Sequence, residues 1–311
     1  MGYQGQRRLT LRPTMAALEP DGRPPALAID PSWVILVTGG ARGITAEVAR
    51  TLAEQYQPTL LLIGHSPLPQ SAESPETVGL SSPQELKAAL MALLDGDGRP
   101  VALSQVEAAY TRLLRDREIR SNIAAMERAG ATVHYFSVDV RDEAAFGDLI
   151  DRMYRTHGRI DGVIHGAGVI EDKLVKDKLP ESFDRVFDTK VDGAFVLSRK
   201  LRPDSLRFLA FFTSAAGRFG NRGQGDYAAA NEVVNKLALY LDTRWPGRVV
   251  SMNWGPWAKL GMVSAELQRQ FARRGIGLIS PADGCFRMDQ ELRYGRKGEV
   301  EVLLTAGGWE V

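Results

Sequence analysis

Val34-Ile35-Leu36-Val37-Thr38-Gly39-Gly40-Ala41-Arg42-Gly43-Ile44-Thr45 is the stretch that decides the fold. Val34 to Val37 are apolar without a break, and Val34, Ile35 and Val37 are β-branched, so they predict a short strand buried on both faces. A glycine turn follows at once, and Ile44-Thr45-Ala46-Glu47-Val48 begins a helical pattern. Glycines let the backbone approach a bound group closely. The helix N-terminus favours negative charge, so the turn suits an anion such as a pyrophosphate. Many strand-to-helix turns use glycine for geometry alone, so the meaning of this one depends on what surrounds it.

Working outward, short apolar runs predict strands at 32–37, 60–63, 132–138, 162–165, 208–213, 249–253 and 299–304, with helical segments between them. Strands alternating with helices imply right-handed βαβ units and a parallel sheet covered on both faces. The expected fold is therefore α/β, a doubly wound Rossmann-type sheet, in one domain over 32–311. Residues 1–31 are rich in Pro, Arg and Gly, with one short strand at 8–11, and read as a linker or a leftover strand. About seventy residues separate the second strand from the third, too many for a simple crossover. Residues 67–83 are rich in Pro and Ser and read as a mobile loop. Ser82-Pro83-Gln84-Glu85 and Ser104-Gln105-Val106-Glu107 have the form of capping boxes, the second opening a helix that runs to Arg128. Residues 67–120 are thus a helical insertion, expected to be dispensable for chemistry.

The chain has 311 residues, 44% hydrophobic and 25% charged, which excludes a disordered or fibrous protein. A net charge of +1 offers no electrostatic footprint for nucleic acid or an anionic membrane. No apolar run has the length to cross a bilayer, and MGYQGQRRLT lacks a signal core, so the expectation is a cytoplasmic protein. The single cysteine, Cys285, excludes an internal disulfide framework. His65, His134, His157 and His165 lack zinc-type spacing, so no metal is expected.

Lys190 interrupts an apolar helical stripe made by Phe183, Val186, Phe187, Val191, Ala194 and Phe195. A buried ammonium is costly unless paired. Further along come Ser214, Tyr227 and Asn231, the last two four residues apart and so on one helical face. A lysine beside a tyrosine favours the phenolate and lowers the phenol's pKa. The alternative is a lysine whose stem lines the core edge while its head reaches water. The second strand ends Ile63-Gly64-His65-Ser66 with no Asp or Glu to hold ribose hydroxyls. Arg42, with His65 and Ser66, suits a 2′-phosphate instead, which points to NADPH.

With these residues in view, the chain resembles the short-chain dehydrogenases/reductases. Thr38-Gly39-x-x-x-Gly43 resembles their cofactor loop, and Ile44 follows it. His165-Gly166-Ala167-Gly168 is similar to their Asn-Asn-Ala-Gly element, and Asp139-Val140 to their adenine-side pair. Ser214 and Tyr227 stand where the family has its catalytic Ser and Tyr. Most members carry lysine four residues after the tyrosine; here that residue is Asn231, and the lysine is Lys190. This exchange, with Gly223-Gln224-Gly225-Asp226-Tyr227 and Asn253-Trp254-Gly255-Pro256-Trp257, is similar to ketoreductase domains of polyketide synthases and multidomain fatty-acid synthases. The loop and the insertion most resemble iterative polyunsaturated-fatty-acid-type and enediyne-type synthases. Thr45 replaces the family's usual third glycine. His65 replaces a frequent arginine, which leaves more of the 2′-phosphate to Arg42. The structural half-domain that precedes such reductases is not seen, so the chain looks like an excised catalytic portion.

The resemblance implies hydride delivery from NADPH to the β-keto carbon of an acyl thioester on an acyl carrier protein, within a larger synthase. It implies that Tyr227 donates the proton and Ser214 holds the oxygen. Lys190 is expected to tune Tyr227 and bind the nicotinamide ribose, and Asn231 to place Lys190 or a relay water. Gly39, Gly40, Arg42, Gly43, Ile44, His65, Ser66, Asp139, Val140, His165, Gly166, Ala167 and Gly168 are expected to line the cofactor, with Gly255, Pro256 and Trp257 walling the nicotinamide. A helical lid is expected over 261–275, with Met262 facing substrate. Ile170-Glu171-Asp172 stands where reductases giving the D (3R) alcohol have Leu-Asp-Asp, and Phe219 where others have tryptophan. Asp172 and Phe219 are therefore expected to orient the substrate toward the D product. A free-standing reductase of small carbonyl compounds and a non-catalytic scaffold domain are the alternatives.

Overall fold

The computed structural model describes residues 2–9, 12–16, 18, 24–69, 72–95, 101–258, 260, 265–273 and 275–307. A two-stranded antiparallel hairpin, β1 (Gly2–Gln4) and β2 (Arg7–Leu9), stands where one strand at 8–11 was expected; Thr10 and Leu11 lie outside the described residues. The sheet proper follows as β3 (Val34–Thr38), α1 (Gly43–Tyr56), β4 (Thr59–Gly64), α2 (Pro83–Leu94), α3 (Leu103–Arg128), β5 (Thr132–Ser137), α4 (Glu143–His157) and β6 (Gly162–His165). Then come α5 (Pro180–Lys200), β7 (Phe208–Ser214), α6 (Ala215–Phe219), α7 (Gly225–Asp242), β8 (Arg248–Trp254), α8 (Ala265–Arg273), α9 (Pro281–Tyr294) and β9 (Glu301–Leu304). Each expected strand is present, its ends shifted by at most two residues.

Packing divides the chain into two compact units, one of residues 30–168 and 192–201, the other of 1–29, 169–191 and 202–311. The seven-stranded parallel sheet reads β5-β4-β3-β6 in the first unit and β7-β8-β9 in the second. The fold is the α/β, doubly wound Rossmann-type sheet. In the first unit β3 is buried along its whole length, as an inner parallel strand must be, whereas β5 at the edge is only partly covered. In the second unit β8 is buried throughout and the edge strand β9 half-exposed. Among the described residues no helix is long and apolar enough to cross a membrane.

The insertion departs from expectation in three places. Ser82 precedes α2 with proline at the first turn, but its side chain makes no cap hydrogen bond. α3 starts before Ser104, at Leu103; the side chain of Gln105 reaches back to accept from Ala102 N at 3.0 Å. The Pro/Ser-rich loop is held at Glu73, Thr77 and Leu80, while Gln70 and Ser71 lie outside the described residues. Arg117 on α3 clamps the carboxylate of Glu73, and donates to Leu80 O and Thr77 O, each at 2.8 Å. The guanidinium holds the Glu73 carboxyl below the usual carboxylate range. Local composition marked a polar loop; a single arginine 44 residues away supplied its partners.

Candidate active site

In the first unit the glycine turn leaves β3 with Gly39 at φ 73°. A Cβ there would stand 3.1 Å from Ala167 N and from the Gly166 backbone, so only glycine lets the turn lie against 165–168. Thr38 fastens the same two segments. Its Oγ1 is 2.9 Å from His165 Nδ1 and accepts from Ala167 N at 3.2 Å, while its carbonyl accepts from Gly166 N at 3.0 Å. His165 is fully buried, and its ring ties to Thr38. Thr45 fills the space in front of Gly166: a Cβ on Gly166 would fall 2.3 Å from Thr45 Oγ1. The departure from a third glycine is thus matched by a glycine facing it.

Around the turn, Gly40 is held against Val37 and Leu62, and Gly43 takes φ 59° with open space where its Cβ would be. Ile44 opens α1, half-buried. Arg42 is exposed, and its Nε donates to Glu118 Oε2 at 2.8 Å. His65 is more exposed still, 3.8 Å from Asp139, whose carboxylate is clamped by Arg141 and held below the usual range by it. Ser66 engages through its carbonyl, which accepts from Tyr135 Oη at 2.6 Å. Val140 is buried and packs where a Cβ on Gly193 would stand. A glycine turn of this shape at a helix N-terminus, with an exposed arginine beside it, fits a phosphate-bearing dinucleotide.

In the second unit, α5 carries Lys190 inward with Ser182 and Val186, all buried. Phe183 and Phe195, expected in the buried stripe, are exposed instead, and Phe183 stacks on Phe187 at 5.8 Å. Lys190 is therefore deeper in the buried face than the apolar count suggested. Its Nζ donates to Phe212 O of β7 at 2.8 Å, and burial brings its pKa down to about 8.

Ser214 ends β7 as the cap of α6, its Oγ accepting from Ala216 N at 3.1 Å. Tyr227 and Asn231 stand one turn apart on α7. Burial pushes the Tyr227 phenol up; Ser214 and Asn231, through hydrogen bonds, pull it back down. Lys190 and Tyr227 lie in the same unit. Asn231 is fully buried. Its Nδ2 donates to Tyr227 O at 2.6 Å, and its Oδ1 has no hydrogen-bond partner among the described residues.

The loop 170–172 is fixed to the turn before Tyr227. Gln224 Nε2 donates to Asp172 at 3.0 Å, and Lys173 N to Gly223 O at 3.0 Å. Burial raises the Asp172 pKa. Buried Lys178 pairs with buried Asp226, which also accepts from Tyr227 N at 2.9 Å. Glu171 is gripped by Arg185 and Ser182, which bring its pKa to about 2. Phe219, half-buried, ends α6.

Gly255 N donates to Leu304 O at 2.8 Å, and Pro256 O accepts from Ile279 N at 2.8 Å. The Trp257 ring is buried edge-on to Trp254 and pressed on Gly284 of α9. α8 is a helix within the expected lid, but Met262 lies outside the described residues.

Sequence reasoning gave no site role to Thr38, Gln224, Lys178, Asp226, Glu118 or Asn122. Thr38, Gln224 and Asp226 carried a signal, standing inside the motifs around Gly39 and Tyr227.

Residues 34–259 match the family model of the KR domain. A polyunsaturated fatty acid synthase polypeptide of Thraustochytrium sp. is 35% identical over 289 residues, 90% of this chain and 10% of that protein. The polyketide synthase GfsB of Streptomyces halstedii is 36% identical over 58% of this chain and 3% of its own length. Among solved structures, an N-terminal ketoreductase from the macrolactin assembly line is similar with a TM-score of 0.67 at 25% identity, over 91% of this chain and 46% of that one. PlmKR1, the ketoreductase from the first module of phoslactomycin biosynthesis in Streptomyces sp. HK803, gives the same score and identity over 91% of this chain and 54% of its own. The chain spans a tenth or less of the two synthases and about half of the two solved chains. With the family model covering more than half of its length, the chain belongs to the KR domain family, nicotinamide-dependent ketoreductases with the short-chain dehydrogenase/reductase fold.

Proposed function

We propose that the chain reduces the β-keto group of an acyl thioester on an acyl carrier protein, uses NADPH, and forms the D (3R) alcohol as one domain of a polyketide or fatty-acid synthase. The observation that carries this reading is the half-buried Tyr227 with Ser214 and Asn231 acting on its phenol, in one unit with buried Lys190. NADPH, when bound, supplies the hydride. As charge grows on the substrate oxygen, Tyr227 Oη passes its proton to that oxygen. The raised pKa keeps the phenol protonated until then. Ser214 Oγ steadies the same oxygen by donating to it. The unsatisfied Asn231 Oδ1 suits a water that returns a proton to Tyr227. Lys190, charged below about pH 8, holds the nicotinamide ribose.

The choice of NADPH is supported by exposed Arg42 and by a β4 end without Asp or Glu. Carrier-bound substrate and partner domains are supported by the relatives, which are large synthases. The D outcome is supported by Asp172 being held by Gln224 three residues before Tyr227.

The test is NADPH oxidation with β-ketoacyl thioesters on carrier protein and as free analogues, followed by chiral chromatography. Carrier-bound substrate should be reduced at much lower concentration than its free analogue, and the D alcohol should predominate. Equal use of small free ketones would overturn the substrate class. A mainly L product would overturn the role of Asp172. Equal efficiency with NADH would overturn the cofactor.

A further inference from the structure

The long insertion helix reaches the cofactor turn. Glu118 of α3 places Oε1 2.8 Å from Gly43 N and Oε2 2.8 Å from Arg42 Nε. One helical turn later, Asn122 Nδ2 donates to Ala41 O at 2.9 Å. A carboxylate therefore stands on a backbone N–H at the start of α1 and on the guanidinium beside it. α1 has no acidic residue of its own in its first turn, so the negative charge at this helix start comes from the insertion. Glu118 is delivered by a rigid support. Arg117, the preceding residue, anchors the 73–80 loop, while Ile119 and Met126 are buried on the adjacent flank of the helix.

We propose that Glu118 is a specificity-determining residue, an internal carboxylate that competes with the 2′-phosphate of the dinucleotide for Arg42. The inference rests on the NADPH reading above. Two anions on one guanidinium repel each other, so a 2′-phosphate must displace Glu118. A ribose 2′-hydroxyl in the same place donates a hydrogen bond to a carboxylate and meets no repulsion. Glu118 thereby narrows the preference for NADPH over NADH, and α3 sets how far.

The test is binding to the full chain, by fluorescence or calorimetric titration, of NADPH, NADH, adenosine 2′-monophosphate and adenosine 5′-monophosphate. Glu118→Gln keeps the side chain's size and removes its charge. It should tighten NADPH and adenosine 2′-monophosphate about fivefold and leave NADH and adenosine 5′-monophosphate within about twofold. Glu107→Gln, on the same helix and paired with Lys87, should change none of them. Unchanged or weaker NADPH binding by Glu118→Gln overturns the proposal, since Glu118 would then be supporting the turn. Equal tightening of both dinucleotides also overturns it, because the competition would be with a group they share. Should Glu118→Gln fail to fold, Glu118→Asp retains the charge but falls short of both donors; it should tighten NADPH more than NADH, and no such difference again overturns the proposal. A wild-type chain that binds neither dinucleotide removes the NADPH reading, and this inference with it; one that binds NADPH but is indifferent to Glu118→Gln removes this inference alone.

Discussion

Lys190 is a buried charge that opposes stability, at a position proposed to serve chemistry. Its ammonium is buried, and burial brings its pKa from 10.5 to about 8. Below pH 8 the folded chain carries the full penalty of that buried charge. Between about 8 and 10.5 the unfolded chain binds the extra proton, so this contribution makes stability rise with pH; above 10.5 the penalty is gone. Lys190→Met should therefore melt at a higher temperature than the wild type below pH 8, by an amount on the order of 3 kcal/mol in stability. That advantage should fade toward pH 10.5, and melting curves that stay parallel across the range would refute the buried charge. The same variant should be inactive. Tyr227→Phe keeps the ring and loses the proton donor, so turnover should fall roughly a hundredfold or more while NADPH still binds. Near-normal turnover would remove Tyr227 from the mechanism. Lys190 was legible as a lysine inside an apolar stripe. Its partner was not, because the carbonyl that holds it belongs to Phe212 on β7, 22 residues away.

At the scale of elements, the first strand, turn and helix are a local code. A β-branched apolar run makes β3, and glycines with positive φ make the turn. What the code omits is the fit of α1 to the segment after β6. Thr45 occupies the volume left by Gly166, so Gly166→Ala would set a methyl 2.3 Å from Thr45 Oγ1. The expected loss is about 1–3 kcal/mol, the usual effect of overfilling a packed contact. Adding Thr45→Gly should recover part of that loss beyond its own effect, and a strictly additive double mutant would show the two residues are not coupled. α3 makes a similar point. Its helical pattern was legible to Arg128, but the use of its face was not. Arg117, Glu118 and Asn122 look like ordinary solvated residues until the helix is placed on the turn.

For the whole molecule, the insertion is the feature on which sequence and structure differ most. Residues 67–120 hold Arg117 with its partners in the 73–80 loop and supply Glu118 to Arg42 and Gly43, and Leu86, Val106 and Ile119 are buried within them. Deleting them strips α1 of its packing partner as well as of Glu118. The melting midpoint of the shortened chain, followed by circular dichroism, should fall; an unchanged midpoint would mean the insertion is mere decoration.

The sequence by itself determined the parallel α/β sheet and its strand positions, and it singled out Lys190, Ser214, Tyr227 and Asn231 as candidates. Apolar periodicity and glycine turns act over a few residues, and the motif order can be read along the chain. Only the tertiary structure decided that Glu118 meets Gly43 across 75 residues, that His165 serves Thr38 across 127, and that Trp257 packs on Gly284. Such partners are set by where helices and strands come to rest, and a carboxylate or a ring carries no mark in the sequence of what it will meet.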